Sequence, residues 1–129
     1  MKRASLSAFG IVVAGAALSG IAVQAHHSVA AVYNESKQVT VEGVVMRFQF
    51  VDPHPNVRLE VKDRDGKARQ WMLEMDNRRE LAELGFGTDT LKPGDRIVVT
   101  GSRGRSQPHI LYIRRLERPS DGFSYQHHQ

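Results

Sequence analysis

Gln38–Phe50 reads QVTVEGVVMRFQF, and its alternation decides the fold. Apolar side chains fall on one face at Val39, Val41 and Val45, then on the other phase at Met46, Phe48 and Phe50. One extra residue in a strand flips the face of everything after it, so a slip beside Gly43 predicts a long first strand with a bulge or sharp bend. Working outward, Asn56–Asp63 places Val57, Leu59 and Val61 on one face and Arg58, Glu60 and Lys62 on the other, a half-buried second strand. DRDGK at Asp63–Lys67 carries the Asp-Gly chemistry of a hairpin turn, and Arg69–Met75 resumes alternation with Trp71, Leu73 and Met75 inward.

The period then changes. Asn77 with Glu80 three residues on resembles a capping box, Leu81 and Leu84 make a short helical stripe, and Gly85 is a stop, so one helix is expected from Arg78 to Leu84. After the LKPGD turn, Arg96–Gly101 and His109–Arg118 read as fourth and fifth strands. This order predicts a mainly β protein: a small five-stranded OB-fold-like barrel with one short helix between strands 3 and 4. An SH3-like barrel or a small open sheet capped by the helix is the competing architecture. The expected organisation is a signal peptide at 1–25, an N-terminal segment at 26–37, the barrel domain at 38–118 and a flexible tail at 119–129.

The export reading rests on Lys2 and Arg3 followed by about eleven mostly apolar residues, Ala8–Leu18, which suits a signal sequence. A spanning helix needs about 20 apolar residues, and Ser19-Gly20 interrupts this run, so permanent membrane insertion is not expected. Val23-Gln24-Ala25 supplies small residues for cleavage after Ala25, with Ala22 as the alternative, and points to a periplasmic or secreted protein. Cleavage at Ala25 takes 25 of 129 residues and two of 18 basic side chains, leaving 104 residues with 16 basic against 14 acidic. A charge of +2 argues against a nucleic-acid partner. With no cysteine, the chain has neither a disulfide nor a thiol nucleophile, and its core must hold it together.

Four stretches also resemble a known family. AHHSVAAVYNESKQVTVEGVV, Pro53-His54, LEVKDRDGK and LGFGTDTLKPGDRIVVTGSR are similar to the DUF6152 family of small exported bacterial proteins, over Ala25 to Arg103. The resemblance implies a secreted or periplasmic β-barrel domain of no established activity. The chain departs from the family pattern at Pro55-Asn56-Val57 and at Phe86-Gly87-Thr88, where the family has aromatics, and any ligand contact those aromatics make is in doubt here.

Candidate site residues follow from fold logic. In an OB-fold the loops joining strands 1–2 and 4–5 flank the binding face. Here they carry Asp52 and His54, then Arg103, Arg105 and His109, which are the expected ligand-binding residues. His54 sits between two prolines that stiffen its backbone, and paired arginines present planar donor forks suited to phosphate or carboxylate. His26 and His27, with His54, form a nitrogen-rich metal candidate for copper, nickel or zinc. No compact metal motif, nucleophile motif or phosphate loop is present. The reading is an exported, non-enzymatic binding or interaction module with no required cofactor, meeting an unknown protein or small-molecule partner in the periplasm. The alternative is a periplasmic metal-binding protein using the N-terminal and loop histidines.

Overall fold

A computed structural model describes residues 28–128; the signal-peptide reading, His26 and His27 lie outside that range. Helical residues 28–32 lead into β1 (Tyr33–Gln49), followed by β2 (Asn56–Lys62), β3 (Ala68–Glu74), α1 (Arg78–Glu83), β4 (Arg96–Gly104), β5 (Ile110–Arg118) and β6 (Phe123–Gln126). The strands form one sheet in the order β3-β2-β1-β4-β5-β6, with antiparallel neighbours. β3 also pairs β5 in parallel, Met72 opposite Ile110, so the pairings run in a circuit β1–β2–β3–β5–β4 and back to β1.

The long first strand makes this possible because it serves two partners. Tyr33–Val44 pairs β4 and Val44–Gln49 pairs β2, with the register shift between Val45 and Arg47 where the alternation slips. Coiling brings backbones too close for a side chain at two glycines. A Cβ on Gly43 would stand 2.2 Å from the Glu60 carbonyl oxygen, and one on Gly101 would stand 2.1 Å from that of Tyr112. Gly101 also adjoins the β4–β5 register shift, the kind of position at which glycine lets a strand bend.

Val57, Leu59, Leu73, Met75, Ile97, Val99, Leu111, Ile113 and Leu116 fill the interior. Leu81 of α1, Phe86, Leu91 and Tyr125 close one side of it. The local signals act as expected: Asn77 Oδ1 accepts from Glu80 N at 2.9 Å, and Gly66 takes φ +80° in the β2–β3 turn. Trp71 packs against the core, while Met72 faces the other way, against Tyr33, Ile110 and Tyr112.

Two expectations need correction. The described part of the expected flexible tail, residues 119–128, is ordered on the sheet: residues 123–126 form a sixth strand on β5, with Tyr125 buried and its ring 5.4 Å from that of Phe86. β1 starts at Tyr33 rather than Gln38, so residues 33–37 of the expected N-terminal segment belong to the sheet; Tyr33 is buried and its hydroxyl donates to Glu74 Oε2 at 2.6 Å.

Candidate functional site

The start of β1 and the β4–β5 connection enclose a cleft of about 340 Å³. Its walls include Asn34, Lys37, Arg103, Arg105, Ser106 and Gln107, so among the described residues three cations and no carboxylate line it. Local packing fixes the connection. Arg105 N donates to Val32 O at 2.9 Å and Arg105 Nε to Ala30 O at 2.8 Å, which ties the loop to helical residues 28–32. Gly104 lies against Ile110 so closely that a Cβ there would be 2.3 Å from Ile110 Cγ1. Among the described residues the Arg103 side chain has no ion-pair partner. Exposed guanidinium and ammonium groups of one sign in a concave wall attract anions, and a free guanidinium fork can grip a carboxylate or phosphate with two hydrogen bonds.

The five expected ligand residues do not meet in this cleft. Arg103 and Arg105 line it, whereas Asp52 and His54 do not. The reason lies in β1: the β4–β5 loop leaves from Gly104, opposite Tyr33 at the start of β1, and the β1–β2 loop leaves from Gln49 at its end. Asp52 is exposed, 3.9 Å from Arg78, and joined to Pro53 by a cis peptide. His54 Nδ1 is 2.9 Å from Met75 O; a carbonyl only accepts, so Nδ1 donates in this contact. His109 takes φ 60° and sets its ring against Trp71, with centroids 5.2 Å apart. No three His, Asp or Glu side chains converge as metal ligands among the described residues. Nor is any helix among them long and apolar enough to cross a membrane.

A buried polar pair, one member just after β6 and the other in the β3–α1 turn, was not legible in the sequence. His127 Nδ1 lies 3.0 Å from Asp76 Oδ2, close but not aligned as a hydrogen bond, with the imidazole side chain only 8% exposed. His127 N donates to Arg114 O at 2.8 Å, and the ring stands edge-on to Tyr112. Burial pushes the Asp76 carboxyl up, but His127 beside it and the Asn77 N–H outweigh this and hold it at about 2. Burial, with Asp76 nearby, pushes the Tyr112 and Tyr125 hydroxyls above the ordinary phenol value. A carboxyl depressed in the folded state contributes stability that is full above its unfolded value near 4 and is lost as pH falls through its folded value. Asp76→Asn is therefore expected to cost on the order of 1–2 kcal/mol at neutral pH, allowing for solvent screening of a partly exposed carboxylate. Urea unfolding should show the gap between wild type and variant closing from pH 4 to pH 2; a constant gap would remove Asp76 from the acid response.

A family model described as a family of unknown function, DUF6152, matches residues 13–110 and bears out the resemblance read from the four motifs. No curated protein matches the chain. Among solved structures, the chain is similar to a mitochondrial single-stranded DNA binding protein of S. cerevisiae, Rim1, at 13% identity and TM-score 0.48, over 63% of this chain and 91% of that one.

Proposed function

We propose a function for a chain that belongs to the DUF6152 family: an exported, non-enzymatic binding module that takes an anionic ligand in the cleft at the start of β1. The cleft carries this reading, because Lys37, Arg103 and Arg105 line it without a carboxylate to neutralise them. Export is supported by the charged start and apolar run of residues 2–18 and the small residues before His26. The circuit of pairings supports an OB-type barrel, in which the β4–β5 loop borders the ligand face.

Calorimetric titration of the purified protein with glucuronate and with inorganic phosphate at low salt tests the reading. Saturable binding is expected, weakened about ten-fold by Arg103→Gln, since a charge-assisted hydrogen-bonded contact is worth about 1.5–3 kcal/mol. An absence of saturable heat from either anion, or equal affinity in Arg103→Gln, contradicts it.

A further inference from the structure

The stretch Asn34-Glu35-Ser36-Lys37 has no apolar side chain to hold it against a core, yet Lys37 must keep a fixed place if it is to meet an anion in the cleft. Asn34 is opposite Arg103 and Gln38 is opposite Ser102, so residues 35–37 stand out of the β1–β4 ladder as a bulge. Bulges recur beside functional sites, where they re-aim a side chain. This one delivers Lys37 to the wall that Arg103 and Arg105 form.

A polar excursion keeps one shape only if its groups find partners, because ordering free residues costs conformational entropy. Some of those partners are local. Asn34 Oδ1 accepts from Ser36 N at 3.2 Å and from Ser36 Oγ at 2.7 Å, and Gln38 Nε2 donates to Glu35 O at 3.0 Å. Two further contacts tie the bulge to the neighbouring strands: Gln38 Nε2 also donates to Ser102 Oγ at 3.0 Å, and Arg114 Nη2 donates to Glu35 Oε1 at 3.0 Å. Arg114 is a firm anchor. Its side chain is only 16% exposed, its Nε donates to the hydroxyl of buried Ser102 at 3.3 Å, and its guanidinium lies 5.0 Å over the Tyr112 ring. Glu35, which does not itself line the cleft, thereby connects the bulge to a fixed point on β5.

We infer that Glu35 is a positioning residue for anion binding: held by Arg114, it sets the bulge so that Lys37 stands in the cleft with Arg103 and Arg105 before the ligand arrives. The inference rests on the cleft reading and adds a residue that acts from outside the cleft. Charge alone predicts the opposite sign. A carboxylate two residues from Lys37 repels an incoming anion, so a Glu35 that did nothing else would tighten binding when removed. A Glu35 that holds Lys37 leaves the ligand to order that side chain once it is removed, which weakens binding about two- to ten-fold.

Glu35→Ala and Glu35→Gln, titrated with glucuronate in the calorimeter at low salt, separate these effects. Both variants delete the charge, and glutamine alone keeps an oxygen for Arg114. Glu35→Ala should weaken binding about two- to ten-fold, and Glu35→Gln should recover most of that loss. In a Lys37→Gln background Glu35→Ala should weaken binding no further, because the side chain it positions is gone. In ¹H–¹⁵N spectra the glucuronate-induced shift at Lys37 should shrink in Glu35→Ala while residues 103–107 still respond. Equal affinities in the alanine and glutamine variants overturn the inference, as does a Glu35→Ala loss of the same size with and without Lys37. Either result leaves the cleft reading standing where Arg103→Gln still weakens binding. Unchanged affinity in Arg103→Gln, or no saturable heat in the wild type, overturns the cleft reading and the inference with it.

Discussion

Gly101→Ala will lower stability by about 3 kcal/mol or more, above the usual cost of overpacking because the atom in the way is backbone. The new Cβ meets the Tyr112 carbonyl oxygen at 2.1 Å and Leu111 Cγ at 3.0 Å. A flexible side chain could swing aside, but the Tyr112 backbone is held in register with Ser102 in the β4–β5 ladder and cannot move without opening it. For a domain of this size, a loss of that order corresponds to about 12–24 °C in thermal midpoint. Gly87→Ala is the matched control, since no atom lies within 4 Å of the added carbon and φ there is not positive. Thermal unfolding followed by circular dichroism separates the two. Equal midpoints for both variants would mean that the strands do not approach at Gly101 as described.

Arg118→Met will cost about 2–3 kcal/mol, below the 3–5 kcal/mol of a fully buried broken pair because water reaches part of the site. The guanidinium, 15% exposed, donates to Thr90 O at 2.7 Å, to Asp95 Oδ2 at 2.9 Å and to both Asp121 carboxylate oxygens. It also lies over the Phe123 ring at 5.0 Å. One side chain therefore joins the turn before β4, the end of β5 and the start of β6. Methionine keeps the apolar stem and leaves Thr90 O and the two carboxylates without their donor. Urea unfolding gives the magnitude, and amide exchange should speed first in β6. Arg115, exposed and paired among the described residues with Glu117 alone, provides the comparison. A cost no larger for Arg118→Met than for Arg115→Met would show that the Arg118 side chain does not hold β6.

Legibility followed the range of the signal. The alternation of β2 and β3, the Asp-Gly turn and the Asn77 cap are local, and each could be read from a few adjacent residues. The slip after Gly43 was readable because a bulge leaves its mark in the phase of the strand that contains it. β6 left no such mark: four residues, FSYQ, with one buried side chain are too few to show a period. The beginning of β1 was hidden as well, since Asn34, Glu35, Ser36 and Lys37 are polar and a register shift interrupts their pairing with β4. Arg103 and Arg105 were legible as a candidate pair from the composition of their loop. Lys37 was not, because only the pairing of Tyr33 with Gly104 brings the start of β1 to that loop. The expected meeting of Asp52 and His54 with the arginines presumed that both loops lie together. That depends on how β1 spans its two partners, and no short stretch encodes it. The Asp76–His127 contact joins residues 51 positions apart and had no local pattern to announce it.

The most direct test of an anion-binding cleft is residue-by-residue: ¹H–¹⁵N correlation spectra of the purified protein, titrated with glucuronate at low salt. Saturating shifts concentrated at Asn34, Lys37 and residues 103–107, with α1 and β6 unmoved, are the predicted result. Shifts centred on residues 51–55 with the cleft silent, or no saturating shift anywhere, would contradict the account.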